Sequence, residues 1–92
     1  MNKKEKKFYT YILLTERNTL YCGYTDDPQK RFELHKQGKG AKYTRANKPI
    51  KMVYLKEFPS KIEAQQEERR IKKLKRSEKE KLCTSLNWQT NS

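Results

Sequence analysis

Apolar side chains are scarce in this chain, and their scarcity limits what it can fold into more than any other feature. Only 33% of the 92 residues are apolar, 37% are charged, and no uninterrupted apolar run is longer than four residues. A chain of this length can bury one small core, so we expect a single domain. A membrane-spanning helix needs about 20 apolar residues, so none is expected.

Positive charge is concentrated in the middle third of the sequence. Residues 28–56 contain nine basic residues and one acidic residue, which gives +8 of the net charge of +12. Such a block is typical of proteins that bind nucleic acid, and the alternative is a solvated basic face that only maintains solubility. Within it, small or hydrogen-bonding residues would let the backbone approach phosphates, namely Gly38, Gly40, Tyr43, Thr44 and Asn47.

The two cysteines and the N-terminus indicate a cytoplasmic protein. Cys22 and Cys83 are 61 positions apart and lack CxxC or Cys/His spacing, so we expect neither a structural zinc site nor an oxidising compartment. Residues 1–7 are basic and no apolar signal core follows them, so we expect a tail rather than a secretory leader.

Three segments rich in aromatic and β-branched residues predict strands. Residues 8–14 and 19–24 flank a polar break at 15–18 and form a hairpin, and residues 50–58 form a third strand. Gly23 lies inside the second strand, where a glycine marks a bulge or the close approach of a ligand or backbone.

Capping residues predict where the first helix begins and ends. Asp27 is the expected N-cap because Pro28 suits the first helical position, and the helix runs to about Gln37 and stops at Gly38. Residues 38–49 show no apolar periodicity and are expected to be a loop.

Two further helices are expected in the last third of the chain. A capping box at Ser60 begins a long helix that runs to about Arg76, and Ser77 caps a shorter helix that runs to about Leu82. Trp88 is expected to fold back on the core.

These elements predict an α+β domain of order ββαβαα, in which helices flank a three-stranded, mainly antiparallel sheet. The domain is expected to cover residues 8–88, between the basic N-terminal tail at 1–7 and a C-terminal tail at 89–92.

Helical spacing brings ionisable side chains together. Arg31 and His35 are four residues apart and share one helix face, where a guanidinium can bind phosphate or simply face solvent. Glu67 and Glu68 fall at the two margins of the apolar stripe of the long helix. A carboxylate on that side either pairs with a basic neighbour or holds a divalent cation.

Tyrosines crowd the predicted hairpin, at positions Tyr9, Tyr11, Tyr21 and Tyr24. Most buried tyrosines only pack, and stacking on bases is the usual alternative in proteins that bind nucleic acid. Tyr11 and Tyr21 lie on neighbouring strands, so both hydroxyls can open on one sheet face. Together with Arg31, His35 and a glutamate they would form a polar pocket.

The order and spacing of these residues carry a family resemblance. Tyr9-Thr10-Tyr11 is followed by Tyr21-Cys22-Gly23 ten residues after Tyr11, and by Arg31 ten residues after Tyr21. The later segments are 38–44 and the Glu-x-x-Ile-Lys element at 68–72. The pattern resembles the GIY-YIG nuclease domain, which occurs in homing endonucleases and in the nuclease of excision repair. It is most similar, over about residues 8–88, to small stand-alone bacterial proteins with this domain.

The resemblance implies roles for five residues. Glu68 would hold one divalent cation, Mg²⁺ or Mn²⁺, at the scissile phosphate. Tyr21 would be the general base or a water-orienting hydroxyl, with Tyr11 beside it. Arg31 would stabilise the charge of the pentacovalent phosphorus, and His35 would contact the phosphate or assist proton transfer. Water would attack in one step.

Further residues are assigned around this set. Nucleic acid, DNA rather than RNA, is expected to bind at Lys39, Lys42, Tyr43 and Arg45. Asn87 is the candidate for an asparagine that the family carries near its active site. Larger family members choose targets with an appended DNA-binding domain, so a protein partner is a candidate for directing this chain.

Three hypotheses follow. The first is a divalent-metal-dependent DNA endonuclease with a role in repair or recombination. The second is a non-catalytic nucleic-acid-binding module that uses the same basic groove. The third is a structural or protein-interaction domain, in which Arg31 and His35 would be solvated.

Overall fold

Seven elements follow one another along residues 6–84, the part of the chain that the computed structural model describes. They are β1 (Phe8–Thr15), β2 (Leu20–Thr25), α1 (Pro28–Lys36), α2 (Lys42–Ala46), β3 (Pro49–Phe58), α3 (Lys61–Lys72) and α4 (Arg76–Thr84). The predicted α+β class and three-stranded sheet are confirmed. The expected positions of Asn87, Trp88 and the C-terminal tail lie outside the described residues, as does most of the N-terminal tail.

β1 is the central strand of the sheet. The strand order is β2-β1-β3 and both pairings are antiparallel. Tyr11 lies opposite Gly23 on one side and Leu55 on the other. β2 is therefore an edge strand, and the side chains of both sheet faces can meet beside it.

Side chains alternate along the strands and form a separate core on each face of the sheet. One core is covered by α3, with Leu82 and Cys83 of α4 against it, and contains Ile12, Cys22, Val53, Tyr54 and Ile71. The other is covered by α1, through Phe32, and contains Tyr11, Leu13 and Met52. The helices α1 and α3 thus lie on opposite faces.

The predicted caps of α1 and α3 are confirmed. A side-chain oxygen of Asp27 accepts a hydrogen bond from the Lys30 backbone N–H at 3.1 Å, and Pro28 follows at the first helical position. Ser60 Oγ accepts one from the Glu63 N–H at 3.2 Å. Gly38, just beyond α1, has a φ of 80°, a left-handed conformation that glycine adopts without steric cost.

The expectation that residues 38–49 form only a loop is wrong, because they contain the short helix α2. The side chain of Thr44 is fully buried and its hydroxyl lies 3.2 Å from the Ala41 carbonyl oxygen, to which it can donate. Tyr43 also donates a hydrogen bond to Thr19 Oγ1. These contacts hold one helical turn that apolar periodicity does not indicate.

The boundary between the last two helices also differs from the prediction. α3 ends at Lys72 rather than Arg76, where backbone bonds from Lys73 to Arg70 and from Leu74 to Ile71 tighten the last turn. The prediction that Ser77 caps the last helix is wrong, because α4 begins at Arg76 and Ser77 lies inside its first turn. At this end a carboxylate oxygen of Glu78 accepts the Lys75 N–H at 2.9 Å. No helix within residues 6–84 is long and apolar enough to cross a membrane.

Candidate active site

A cleft of about 540 Å³ opens beside the edge strand β2. Its lining includes all five side chains that the sequence singles out for chemistry, namely Tyr11, Tyr21, Arg31, His35 and Glu68. Arg31 and His35 come from α1, whereas Glu68 comes from α3 on the opposite face. The cleft therefore joins the two faces at the edge of the sheet.

Gly23 makes room for Tyr11 at the floor of the cleft. Tyr11 is only 2% exposed, and a Cβ built on Gly23 would lie 2.6 Å from its hydroxyl oxygen. No side chain can occupy that space, so the glycine in Tyr21-Cys22-Gly23 is required by the close approach of a phenol. Burial raises the pKa of Tyr11, and the neighbouring Tyr21 adds to the effect.

His35 is held between two hydroxyl groups. Its Nε2 lies 2.9 Å from the Tyr11 hydroxyl and its Nδ1 lies 2.6 Å from Thr44 Oγ1. The side chain is 1% exposed and Gly40 packs directly on the ring. Burial and the nearby Arg31 charge lower the pKa of His35 to about 4, so the imidazole is neutral near pH 7.

Tyr21 is the more accessible of the two cleft tyrosines. Its ring meets His35 edge-on at 5.3 Å between centroids and stacks on Tyr43 at 5.7 Å. Burial raises the pKa of Tyr21, although the ammonium of Lys72 acts in the opposite direction. The phenol is thus neutral near pH 7 and can donate or accept a hydrogen bond in the cleft.

The two neighbouring glutamates of α3 have different partners. Glu67 accepts hydrogen bonds from Arg70 and from Tyr54, the latter at 2.9 Å. Both bonds lower the pKa of Glu67, and the bond from Arg70 has the larger effect. Glu68 lines the cleft and pairs with Lys72, with 2.9 Å between Oε2 and Nζ. Both glutamates are therefore paired with a basic neighbour, and only Glu68 also lines the cleft.

Arg31 brings a positive charge to the cleft. It forms no ion pair with any other residue in the range 6–84, and its charge acts on His35 and Tyr11. A guanidinium that forms no ion pair within this part of the chain is available for an anion that enters the cleft.

The candidate nucleic-acid-binding residues lie on and just before α2. Lys39, Lys42 and Arg45 are exposed outside the cleft, and Tyr43 is 40% exposed while stacked on Tyr21. Thr44 was expected to lie where the backbone approaches phosphates. It is not available to them, because it is buried against His35. Lys6 and Lys61 line the cleft and were not singled out from the sequence, since nothing in their spacing distinguishes them from the other lysines.

The cleft offers few ligands for a metal ion. Within residues 6–84 no group of three or more His, Cys, Asp or Glu side chains could hold one. Its two carboxylates belong to Glu68 and to Asp26, which pairs with Lys6 at 3.2 Å. Mg²⁺ commonly binds through one or two carboxylates together with substrate phosphates and water, so this donor set fits a cation that arrives with a phosphate ligand.

Comparison with known proteins identifies the domain. The model of the GIY-YIG catalytic domain matches residues 7–81. A UPF0213 protein of Bacillus velezensis is 50% identical over 72 residues, which cover 78% of this chain and 73% of that protein. A UPF0213 protein of Oceanobacillus iheyensis is 49% identical over 78 residues, covering 85% and 91% of the two chains.

A solved structure supports the same assignment. The solution NMR structure of a UPF0213 protein from Bacillus halodurans superposes with a TM-score of 0.55 at 44% sequence identity, covering 85% of this chain and 83% of that one. The family to which the matched domain belongs is a nuclease family that acts on nucleic acid. This chain belongs to the GIY-YIG family, among its UPF0213 members.

Proposed function

We propose that this protein is a divalent-metal-dependent endonuclease that hydrolyses DNA phosphodiester bonds. The observation that carries the proposal is the meeting of Tyr21, Arg31 and Glu68 at one open cleft, although they come from three elements on two sheet faces. Phosphodiester hydrolysis needs a positioned water, charge neutralisation and stabilisation of the leaving oxygen. A phenol, a guanidinium and a carboxylate that holds a cation supply these needs together.

Glu68 is the residue that would hold Mg²⁺ or Mn²⁺, with the substrate phosphate completing the ligands. When bound, the cation supplies Lewis-acid stabilisation of the phosphate and the leaving oxygen. Arg31 would bind the phosphate and stabilise the additional negative charge of the transition state. Because Lys72 already pairs with Glu68, Lys72 would have to leave or share this carboxylate for Glu68 to hold a cation.

The tyrosines act as hydrogen-bonding groups and not as phenolates. Burial raises the pKa of both Tyr11 and Tyr21 above the ordinary value of 10, so the phenolate is a very small fraction near pH 7. Tyr21 is the more exposed and orients the attacking water, which gives its proton to solvent in the open cleft as the new phosphorus–oxygen bond forms. His35 acts through Tyr11, since both of its ring nitrogens are already occupied by hydroxyls.

The bound strand runs over the exposed face of the 39–45 segment. Lys39, Lys42 and Arg45 supply phosphate contacts, and Tyr43 offers part of its ring for stacking. Two free cysteines agree with a reducing cytoplasm, and repair or recombination of DNA is the process that we assign to this activity.

One observation favours a second function, a module that binds nucleic acid without cutting it. Glu68 is neutralised by Lys72 at 2.9 Å, and a carboxylate that stays in this pair holds no cation. Such a protein would bind DNA in a salt-dependent manner through the same basic residues and leave it intact.

The two functions are separated by incubating the full chain with supercoiled plasmid and with branched, flapped, single- and double-stranded oligonucleotides in Mg²⁺ or Mn²⁺. We expect metal-dependent cleavage of at least one substrate, reduced by about 10²–10³-fold in Arg31→Ala and in Glu68→Gln. Lys30→Ala on α1 and Glu33→Gln, both exposed, are the matched controls and should retain activity. Binding without cleavage in every metal would favour the second function, and full activity in Glu68→Gln would refute the metal assignment.

A further inference from the structure

Three polar groups form a continuous buried chain behind the cleft. The Tyr11 hydroxyl lies 2.9 Å from His35 Nε2, His35 Nδ1 lies 2.6 Å from Thr44 Oγ1, and Thr44 Oγ1 lies 3.2 Å from the Ala41 carbonyl oxygen. Tyr11, His35 and Thr44 are each at most 2% exposed. Distances of this kind fix which atoms bond, and the positions of the protons follow from what each group can donate.

The Ala41 carbonyl fixes the far end of the chain. The Ala41 oxygen accepts the Arg45 backbone N–H at 3.0 Å and has a second lone pair for the Thr44 hydroxyl at 3.2 Å. When the single Thr44 proton is used there, Thr44 Oγ1 is left as an acceptor for His35 Nδ1. A proton on Nδ1 leaves Nε2 of the neutral ring as an acceptor. Nε2 then accepts a hydrogen bond from the Tyr11 hydroxyl. A hydrogen bond from phenol to imidazole is the favourable direction, because a phenol O–H is a more acidic donor than a neutral imidazole N–H. Every proton in this arrangement has an acceptor.

In the opposite arrangement one proton has no acceptor within the buried chain. If Thr44 donated to Nδ1, the proton on Nε2 would point at Tyr11, and the Tyr11 proton would have to leave the buried chain toward the cleft. The lone pairs of the Tyr11 oxygen would then face the histidine. The two arrangements differ in whether Tyr11 offers the cleft an acceptor or a donor.

We propose that Thr44 is a positioning residue, which fixes His35 as the Nδ1-protonated tautomer and so turns the lone pairs of the Tyr11 oxygen toward the cleft. The functional part of this inference rests on the proposed nuclease activity. In that reaction, Tyr11 accepts a hydrogen bond from the water that Tyr21 orients. Thr44 does not touch the reacting atoms and acts only through His35 and Tyr11.

The charges around His35 leave this neutral tautomer in place. Arg31 of the same helix is the cation whose charge acts on the ring. Tyr11 and Tyr21 face the ring from β1 and β2, and Thr44 faces it from α2. Burial and Arg31 both disfavour a second proton on the ring. Gly40 covers the Nδ1 side so closely that a side chain there would displace the imidazole.

The tautomer can be observed directly because His35 is the only histidine in the chain. In the full-length protein labelled with ¹⁵N-histidine, near pH 7, we expect a pyrrole-type resonance for Nδ1 and a pyridine-type resonance for Nε2. Thr44→Val removes the acceptor with little change of volume and should shift the ring toward the Nε2-protonated form, whereas Thr44→Ser should retain the wild-type spectrum. Nε2 protonation in the wild type, or an unchanged tautomer in Thr44→Val, would overturn the proposal. If Thr44→Val does not fold, Nδ1 protonation in the wild type still supports the proposal and Nε2 protonation overturns it.

Cleavage assays test the functional part. Thr44→Val should lower the cleavage rate about tenfold, the effect of losing one buried hydrogen bond. In a Tyr11→Phe background the same substitution should cause no further loss, because the chain then has no hydroxyl to orient. Further loss in that background would overturn the role through Tyr11. An absence of cleavage in the wild type would refute the nuclease and with it that role, while the spectra would still decide the tautomer.

Discussion

The two faces of the sheet use buried side chains in different ways. The face under α3 holds mainly aliphatic groups, among them Ile12 and Ile71, which are completely buried. The face under α1 holds Leu13 and Met52, and beside them a buried chain of hydroxyls and an imidazole that ends at the cleft. The first face contributes to stability mainly through the free energy of transferring its aliphatic side chains out of water. The second also carries the polar groups that chemistry needs.

The comparison shows why both faces are required for one site. The hydroxyls and the guanidinium come from the polar face, but the carboxylate comes from the helix on the aliphatic face. Ile71 and Glu68 lie on the same helix three residues apart, so packing of the aliphatic face positions the carboxylate at the cleft. A change on either face should therefore affect the site. On the aliphatic face the change is measured as a loss in the free energy of unfolding, and on the polar face as a change in how that free energy depends on pH.

The largest expected effect is on the aliphatic face. Ile71→Ala should lower the free energy of unfolding by about 2–5 kcal/mol, because it opens a cavity where the side chain is completely buried. Urea denaturation measures the loss. Ile62→Ala, at a position 65% exposed on the same helix, is the control and should change stability by less than about 0.5 kcal/mol. Equal losses in the two variants would contradict the assignment of this core.

On the polar face, acid should destabilise the protein through His35. The pKa of His35 is about 4 when folded and 6.5 in its ordinary environment, so the unfolded chain binds the proton first as pH falls. The stability that neutral His35 permits is complete above pH 6.5 and is lost progressively toward pH 4, by about 3 kcal/mol in total.

This pH dependence is measured by urea denaturation between pH 4 and pH 7. In His35→Gln the loss of stability between pH 6.5 and pH 4 that comes from His35 should disappear. Only the acid sensitivity of the carboxylates, at lower pH, should remain. A wild-type histidine that titrates near 6.5 by NMR would contradict the burial of this group.

The smallest effect is expected where the faces meet. Lys72→Met removes the ammonium that competes for Glu68, and should tighten Mn²⁺ binding by about two- to fivefold, the modest value of a partly exposed ion pair. Electron paramagnetic resonance of free Mn²⁺ in the presence of DNA measures the affinity. Lys73→Met removes the same charge from the next, exposed position and should change it less. Equal shifts in both variants would mean that only overall charge matters.

Local patterns were enough to predict most of the fold. Asp27 and Ser60 cap the helices as expected, because capping depends on side chains within three residues. The same applies to the strands, whose aromatic and β-branched segments match β1, β2 and β3 within about two residues. The helix α2 was not predicted, because buried Thr44 and its partner His35 are nine residues apart and no local pattern records that contact.

Local patterns also predicted part of the candidate site, and long-range contacts decided the rest. Spacing of four along α1 and alternation along the hairpin bring Arg31, His35, Tyr11 and Tyr21 to the cleft. Spacing did not separate Glu67 from Glu68, because the difference depends on Tyr54 of β3 and on Arg70. Nor did it indicate Lys61, whose place in the cleft depends on how α3 crosses the sheet.

The most direct test of the site is a crystal structure of the cleavage-impaired Arg31→Ala variant with a short DNA duplex and Mn²⁺, using anomalous scattering to locate the metal. The proposed mechanism predicts a Mn²⁺ peak at the Glu68 carboxylate, with a phosphate oxygen as a further ligand and Lys72 displaced. DNA bound over the 39–45 segment with Lys72 still paired to Glu68, and no metal between them, would contradict it.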